Sequence, residues 1–266
     1  MRFGCCGNMV AVEPDKTGIE IVETLKEIGY DYIELSLAHI SKLSDEEFLR
    51  LKDRLNTSGI KCEACNNFFP PEIKLTGWQA DMEKIDKYLD LALSRVSELG
   101  VEVIVFGSGP SKNVPEGFPM EKAWEQLVNL TKYISSLAEK YKITIAIEPL
   151  RKEECNIINK VSEGLRLAKE VDRDNVKLLV DFYHMRSEEE DPSILKECKG
   201  YLKHVHFSRF EGRTFPRDIG EDILYVPFFK SLKEIGYKER LSIEAYSKDF
   251  YKDAYESLQF LKKYLI

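Results

Sequence analysis

Short apolar runs alternate with amphipathic helical stretches along the whole chain. Five of the junctions between a helical stretch and the next apolar run carry a glycine, and these glycines are Gly29, Gly59, Gly100, Gly200 and Gly236. The residue that follows a helix often adopts a left-handed conformation, which costs glycine less than other residues. Two further junctions, in AEKYKITIAIE and VDRDNVKLLVD, lack the glycine but keep the rest of the pattern. One helix–turn–strand unit therefore repeats along the chain.

Eight strands are predicted when the opening FGCC is counted as the first. They cover residues 3–6, 32–36, 61–66, 102–106, 144–147, 177–180, 204–207 and 241–244. Between them, apolar residues at steps of three and four predict helices, most clearly at Met82, Ile85, Leu89, Ala92, Val96 and Leu99. Ser44 and Glu47 form the pattern of a capping box at the start of another helix.

Regular alternation of strand and helix predicts a parallel sheet with helical crossovers, either open or closed. Eight units of about 33 residues each, in a chain close to the usual ~250, favour closure into a (β/α)8 TIM barrel. No linker or low-complexity stretch interrupts the series. We therefore expect an α/β protein with a single domain that spans residues 1–266.

Composition and charge favour a small-molecule substrate over a nucleic acid. The 266 residues are 43% hydrophobic, which is enough for a large core, and the formal net charge is −7. A negative surface is poorly suited to phosphate backbones. The opening MRFGCCGN lacks a basic segment followed by an apolar stretch, and no apolar run approaches the ~18 residues of a membrane span. We therefore expect a cytoplasmic protein without a membrane partner.

The six cysteines are expected to be reduced thiols, because no export signal is present. The spacing of Cys62 and Cys65 raises the question of a zinc site. A structural zinc would need a second cysteine pair or two histidines at matching spacing, and the chain has neither. We interpret the pair as small buried residues on a strand, with a redox pair as the alternative.

Four of the apolar runs carry a metal-binding or acid–base residue where the strand ends. VKLLVDFYH contains Asp181, KITIAIEP contains Glu148, KHVHF contains His206 and RLSIEAY contains Glu244. The carboxyl ends of barrel strands meet at one face, so these four side chains should converge. Three carboxylates and one imidazole suit Mn²⁺ or Mg²⁺, with Co²⁺ or Zn²⁺ as alternatives, and the two glutamates can move protons. The alternative interpretation is four rim residues in ordinary ion pairs.

The motifs IEPLRKEE, LLVDFYHM, HVHFSRFEGR and SIEAY resemble those of the xylose-isomerase-like barrels, and among them the tagatose and psicose 3-epimerases. The resemblance implies that a divalent metal is bound by Glu148, Asp181, His206 and Glu244, and the donor set makes Mn²⁺ the expected ion. It implies substrate contacts from Glu154, His184 and Arg213. The match of Arg213 to the family arginine is displaced by one residue, so Arg209 and Arg217 stay open as alternatives.

The resemblance also implies an isomerase that acts on a sugar or sugar derivative. A ketose held through two adjacent oxygens would lose a carbon-bound proton to give an enediolate, with Glu148 and Glu244 as base and acid. Return of the proton to the same carbon gives epimerisation, and return to its neighbour gives aldose–ketose isomerisation. Alternatives on the same metal site are a hydroxypyruvate isomerase, a keto-inositol dehydratase, a binding protein without turnover and, more remotely, a three-zinc apurinic endonuclease. Homo-oligomerisation stays open.

Loops after the early strands are candidates for substrate contact. CNNFFPPEIKLTGW offers Asn66, Asn67, Phe68, Phe69 and Trp78 to a sugar, or to a lid or dimer contact. Gly107, Ser108 and Gly109 could present amides to a phosphate, although an ordinary turn is the favoured interpretation. For His39 a surface or packing role is favoured over the barrel mouth. We assign His204 to the strand face opposite His206, away from the barrel interior.

Overall fold

Eight parallel strands close into a single-domain barrel in which each strand pairs with its sequence neighbour and the last pairs with the first. The structure is a computed structural model that describes residues 1–266. The strands are Arg2–Cys6 (β1), Tyr32–Ser36 (β2), Lys61–Asn66 (β3), Val103–Phe106 (β4), Thr144–Ile147 (β5), Val176–Asp181 (β6), Leu202–Phe207 (β7) and Arg240–Ile243 (β8). The predicted barrel is confirmed, and the strand limits differ from prediction by two residues at most.

Ten α-helices lie between and after the strands. They are Val22–Ile28 (α1), Leu37–Ile40 (α2), Asp45–Ser58 (α3), Met82–Leu99 (α4), Gly109–Lys112 (α5), Met120–Ala138 (α6), Val161–Val171 (α7), Phe182–Ser187 (α8), Tyr225–Glu234 (α9) and Phe250–Leu265 (α10). None of these helices has the length and apolar character that a bilayer span requires.

The helix-end signals predicted from the sequence are present in the structure. Helix α4 ends at Leu99, and the next residue, Gly100, caps it with a left-handed φ of 75°. At the start of α3, Ser44 N donates to Glu47 Oε2 (2.7 Å) and Glu47 N donates to Ser44 Oγ (3.3 Å), so the capping box is confirmed. These end signals limit the helices, and the strands then begin where the sequence pattern predicts.

The core has two parts, separated by the barrel wall. A cluster of 72 buried residues packs the outside of the strands against the helices. The barrel interior holds a small apolar cluster, which consists of Tyr32, Ala64, Val103, Val105, Ala146 and Leu179. At the amino ends of the strands, Arg240 Nε donates to Glu63 Oε2 (2.7 Å) and Arg240 Nη2 donates to Glu102 (2.7 Å). This end of the barrel is thus closed by ion pairs, and the opposite end is free to form a site.

His204 lies inside the barrel, so the prediction that it points away from the interior is wrong. Its side chain is fully buried, and its Nε2 lies 2.8 Å from Glu34 Oε2. The reason is the period of a strand: residues two positions apart lie on the same face. His204 and His206 therefore share the inner face of β7.

Candidate metal centre at the carboxyl ends of the strands

Glu148, Asp181, His206 and Glu244 converge at the carboxyl end of the barrel, each from a different one of the last four strands. Their candidate ligand atoms all lie within 4.8 Å of one another, and all four side chains are buried. His206 Nδ1 lies 3.3 Å from Glu148 Oε1 and 3.1 Å from Glu244 Oε2. The structure thus brings together the four side chains that the sequence analysis placed at strand ends.

These four side chains fit a divalent cation. His206 Nδ1 is buried and has no hydrogen-bond partner, although two carboxylates face it. A buried polar atom without a partner costs free energy, and so do three clustered carboxylates without a compensating charge. A hard divalent ion would satisfy both, because three oxygens and one imidazole nitrogen match the preference of Mn²⁺ or Mg²⁺. The donor set is therefore suited to a divalent cation.

The carboxyl groups of the cluster differ in pKa. Burial raises the pKa of Glu148, with His206 acting in the opposite direction. Burial also raises the pKa of Asp181, to about 7, even though Arg213 opposes it. For Glu244 burial is again the largest influence, but Arg213 and His206 together outweigh it and hold its pKa below the usual range. The environments of Glu148 and Glu244 thus separate their proton affinities.

His184, Glu154 and Arg213 border the cluster. His184 Nδ1 accepts from Arg151 N (3.3 Å), and His184 Nε2 lies 3.5 Å from Asp181 Oδ2. Burial lowers the pKa of His184 well below its usual value, and Arg213 adds to this effect, so the ring is neutral with its proton on Nε2. His184 can therefore donate one hydrogen bond into the site.

Arg213 is the arginine that the structure brings to the cluster. Its Nη2 lies 2.5 Å from Glu244 Oε2 and 3.2 Å from Asp181 Oδ2, and its Nη1 lies 3.8 Å from Glu154 Oε1. The two alternative arginines have other partners. Arg209 pairs with Glu211, and Arg217 pairs with Asp253 and Glu256.

A cavity of about 330 Å³ opens above the cluster. Glu148, Glu154, His184, Arg213 and Glu244 line one side, and Asn8, Ser36, His39, Asn67 and Phe69 are among the residues on the other. His39 thus faces the mouth, where the sequence favoured a surface or packing role. The sequence analysis did not identify Asn8 and Ser36 as cavity residues. Ser36 could have been found, because it is the last residue of β2 and functional residues of such barrels lie at the carboxyl ends of strands.

The predicted loop residues divide between the cavity and the protein surface. Trp78 lies outside the cavity, where it is exposed and packs edge-on against Phe118. Ser108 and Gly109 line the cavity. A Cβ at Gly107 would lie 2.1 Å from Glu148 Oε2, so only glycine permits this close approach of the loop to the carboxylate.

Cys62 and Cys65 are buried on β3 as free thiols, with their Sγ atoms 3.8 Å apart.

Two buried charged residues near the cluster were also missed. Glu34 lies inside the barrel and contacts the ring of His206. Lys112 is fully buried, and its Nζ donates to the carbonyl oxygens of Phe106 and Glu148 (3.3 Å each). The sequence does contain a signal for Glu34, because a carboxylate in the middle of the apolar run YIELS must find partners inside the fold.

Several characterised proteins are similar to this chain. D-psicose 3-epimerase of Ruminiclostridium cellulolyticum is 26% identical over 231 residues, which are 85% of this chain and 77% of that protein. The D-psicose 3-epimerase of Agrobacterium fabrum is 27% identical over 190 residues, with coverage of 70% and 65%. Inosose isomerase of Bacillus subtilis is 27% identical over 155 residues, with coverage of 54% and 55%. These relatives are epimerases and isomerases of carbohydrates.

Solved structures share the fold. The crystal structure of D-psicose 3-epimerase with D-tagatose from Clostridium cellulolyticum H10 has a TM-score of 0.85 and 22% identity, and covers 100% of this chain and 99% of its own. A family 2 AP endonuclease from Brucella melitensis has a TM-score of 0.77 at 19% identity, with coverage of 99% and 98%. The family model for the xylose isomerase-like TIM barrel matches residues 22–264. This chain therefore belongs to the xylose isomerase-like TIM barrel family.

Proposed function

We propose that this protein is a metal-dependent ketose epimerase or isomerase, with residues 1–266 as one catalytic domain. The observation that carries the proposal is the cluster of Glu148, Asp181, His206 and Glu244, of which the two glutamates line a cavity of about 330 Å³. A cavity of this size suits a small sugar. The similarity to the D-psicose 3-epimerases favours epimerisation of a ketose at the carbon next to its carbonyl group.

The four clustered side chains would hold one divalent cation, with Mn²⁺ expected from the donor set. When bound, the cation supplies a Lewis acid that polarises the carbonyl group of the sugar and favours ionisation of the neighbouring carbon. His206 would contribute Nδ1, which is the ring nitrogen that faces Glu148 and Glu244.

Glu148 and Glu244 are positioned to transfer the proton. Both approach His206 Nδ1, but they come from different strands. One carboxylate removes the carbon-bound proton and leaves an enediolate of the sugar, and the other delivers a proton to the opposite face of the same carbon. The configuration at that carbon inverts. The different pKa values of the two glutamates suit a pair in which one accepts a proton while the other donates.

His184, Glu154 and Arg213 would bind and orient the sugar. Neutral His184 donates from Nε2, and Glu154 accepts from a hydroxyl group. Arg213 presents a guanidinium group to the edge of the cluster, where the negative charge of the enediolate develops. These contacts would favour the charged intermediate over the ground state.

Isomerisation of a cyclic keto-polyol is the second candidate, because the relatives include an inosose isomerase. The same proton transfer then places the proton on the neighbouring carbon. The hydroxypyruvate isomerase, the dehydratase and the binding protein stay as outcomes of the experiment below. The apurinic endonuclease is the least favoured, since a chain with four histidines and a net charge of −7 is poorly suited to three zinc ions and DNA.

Incubation with Mn²⁺ and a ketose panel in D₂O distinguishes these reactions. The panel contains D-psicose, D-fructose, D-tagatose, L-ribulose, hydroxypyruvate and an inosose, and products are followed by NMR. Deuterium at the carbon beside a retained keto group indicates epimerisation, deuterium at the former carbonyl carbon indicates isomerisation, and loss of water indicates dehydration. Absence of exchange with every compound contradicts the proposal.

Glu244→Gln is expected to reduce the exchange rate by at least about 10²-fold, since it removes a proton-transfer group. Glu121→Gln, at an exposed position of α6, is the matched control and should exchange like the wild type. Full activity of the Glu244→Gln variant would remove Glu244 from the mechanism.

A further inference from the structure

Glu34 occupies the barrel interior on the far side of His206 from the candidate metal centre. It lies on β2 and has no exposed surface. Three groups bond its carboxylate: His206 Nε2 lies 2.9 Å from Oε1, while His204 Nε2 (2.8 Å) and Ser242 Oγ (2.6 Å) approach Oε2. The hydroxyl of Tyr32 lies 2.8 Å from Ser242 Oγ and extends the network. A buried carboxylate therefore holds two histidines of β7 at once.

The charge of Glu34 has no arginine or lysine partner among its hydrogen bonds and ion pairs. A buried carboxylate is costly unless hydrogen-bond donors replace water. Glu34 can only accept when it is ionised, so the histidine nitrogens that face it must both carry hydrogen. The network thus places a hydrogen on Nε2 of His206.

In the neutral ring that cation binding requires, this hydrogen leaves the lone pair of His206 on Nδ1. That atom is buried, has no hydrogen-bond partner and lies between Glu148 and Glu244. The other tautomer would carry a hydrogen on Nδ1 and could not coordinate a cation there. Glu34 therefore acts on the candidate metal centre through the ring of His206, which is the one member of the cluster that it contacts, and it does not line the cavity.

We propose that Glu34 is a positioning residue that holds His206 in the tautomer and orientation required for metal binding, with His204 and Ser242 fixing Glu34 in turn. The proposal rests on the metal-dependent function proposed above. Carboxylates that bond a metal-binding histidine in this way typically change metal affinity by 10- to 100-fold when they are replaced. Glu34 would thus hold the imidazole of His206 in the orientation for metal binding before the cation arrives.

Glu34→Gln tests this role, because the amide keeps the size of the side chain but replaces one accepting oxygen with a donating NH₂ group. Either His204 or His206 then loses its acceptor. Mn²⁺ binding to metal-stripped protein is measured by calorimetry, with thermal unfolding as the check on folding. The affinity should fall by about 10- to 100-fold while one Mn²⁺ still binds per chain.

Glu63→Gln is the matched control. Glu63 is also a buried carboxylate inside a bonded network, but it pairs with Arg2 and Arg240 at the opposite end of the barrel. Both variants should be less stable than the wild type, whereas only Glu34→Gln should weaken Mn²⁺ binding. Equal losses of affinity in the two variants would mean that Glu34 is merely structural, and would overturn the proposal.

The tautomer gives a readout that needs no metal. In ¹⁵N NMR of the metal-free protein, at a pH high enough for the ring of His206 to carry a single hydrogen, that hydrogen should be on Nε2, and this signature should change in Glu34→Gln. If the wild type binds no Mn²⁺, the proposed function fails, while the NMR spectrum still decides whether Glu34 sets the tautomer. A wild type that binds two Mn²⁺ and a variant that binds one would show that Glu34 is itself a ligand, with Cys6 and His206 beside it, and would overturn the positioning role.

Glu34→Asp covers the case in which Glu34→Gln does not fold. It keeps the negative charge and both oxygens but shortens the side chain by one methylene group. Mn²⁺ affinity should fall less than in Glu34→Gln, and His206 should keep its hydrogen on Nε2. Loss of that tautomer in a folded Glu34→Asp variant would contradict the proposal.

Discussion

At the scale of single residues, the candidate centre is defined by ionisable side chains that the fold holds close together in buried positions. Three carboxylates and His206 lie within 4.8 Å of one another, and Arg213 contacts two of the carboxylates. Because these groups are buried, each one shifts the proton affinity of its neighbours. Protonation and the proposed cation binding would therefore compete for the same oxygens.

Mn²⁺ binding is expected to weaken as the pH falls below about 7. Burial raises the pKa of Asp181 to about 7, so the metal-free side chain is largely protonated in mildly acidic solution. A bound cation requires the ionised form and must displace this proton, which lowers the apparent affinity by up to about tenfold per pH unit. Calorimetry at several pH values, in two buffers of different ionisation enthalpy, measures the affinity and counts the released protons. An affinity that is constant from about pH 6 to 8 would contradict this expectation.

Gly107→Ala is expected to damage the centre while the barrel stays folded. The added Cβ would lie 2.1 Å from Glu148 Oε2, and the tip of Glu148 would have to move. A displacement of about 1 Å at a reacting group can cost 10²-fold in rate, so we expect losses of this order in deuterium exchange. The control is Gly220→Ala, in an exposed turn, which should behave like the wild type. Wild-type exchange in Gly107→Ala would show that Glu148 tolerates the shift.

At the scale of secondary structure elements, the short helix α5 is bonded to the carboxyl ends of β4 and β5, beside the site. Its Lys112 donates to the carbonyl of Phe106, the last residue of β4, and to the carbonyl of Glu148, directly after β5. A buried carbonyl without a donor is costly, so Lys112 stabilises the point where the backbone leaves the barrel. The position of Glu148 thus depends on a helix of four residues.

Lys112→Met should lower the free energy of unfolding by about 1–3 kcal/mol, because it removes the side-chain donor from two buried carbonyls, of which that of Phe106 keeps only the bond from Glu148 N. Burial lowers the pKa of Lys112, so the folded state favours the neutral amine and the unfolded chain binds its proton more readily. The stability that Lys112 confers should therefore increase as the pH rises from its lowered folded pKa to the usual lysine value of about 10.4. Urea unfolding of both proteins between about pH 7 and 10 measures the difference. A difference that shrinks with rising pH would contradict this reasoning.

At the scale of the whole molecule, barrel closure divides the interior into layers with different chemistry. Ion pairs of Arg2, Arg240, Glu63 and Glu102 close the amino end. An apolar cluster around Tyr32 follows, then the network of Glu34, and the candidate metal centre lies at the carboxyl end. A cation at that end would link four strands that are distant in sequence, so its binding should affect the unfolding of the whole barrel.

Mn²⁺ should raise the melting temperature, and EDTA should reverse the effect. Ligand binding to the folded state alone adds about 2.7 kcal/mol at a concentration 100 times the dissociation constant, or roughly 5–10 °C for a chain of this size. Differential scanning calorimetry with Mn²⁺ or EDTA measures the shift. Asp181→Asn, which removes one candidate ligand charge, should show a smaller shift, whereas Glu121→Gln should match the wild type. Identical melting with Mn²⁺ and EDTA would argue against a metal centre.

Much of the site could be anticipated because strand ends are visible in the sequence. Glu148, Asp181, His206 and Glu244 each belong to an apolar run, and parallel closure brings such ends to one face. His204 was placed on the wrong face although the alternation of a strand decides it. Glu34 was overlooked because its partners, His204 and His206, lie 170 and 172 positions away along the chain. The roles of His39 and Gly107 depend on loop conformations that local pattern does not determine.

Local periodicity and short-range end signals such as Gly100 and Ser44 were enough to predict the eight strands, the helices between them and the residues at the strand ends. The contacts between polar atoms became visible only in the folded barrel: His206 has Glu34 at one ring nitrogen and two carboxylates at the other, Arg213 rather than Arg209 reaches Glu244, and Gly107 makes room for Glu148. The difference comes from the range of the interactions. Hydrogen bonds and ion pairs act over about 3 Å, and distances of that order between remote residues are set by barrel register and side-chain packing.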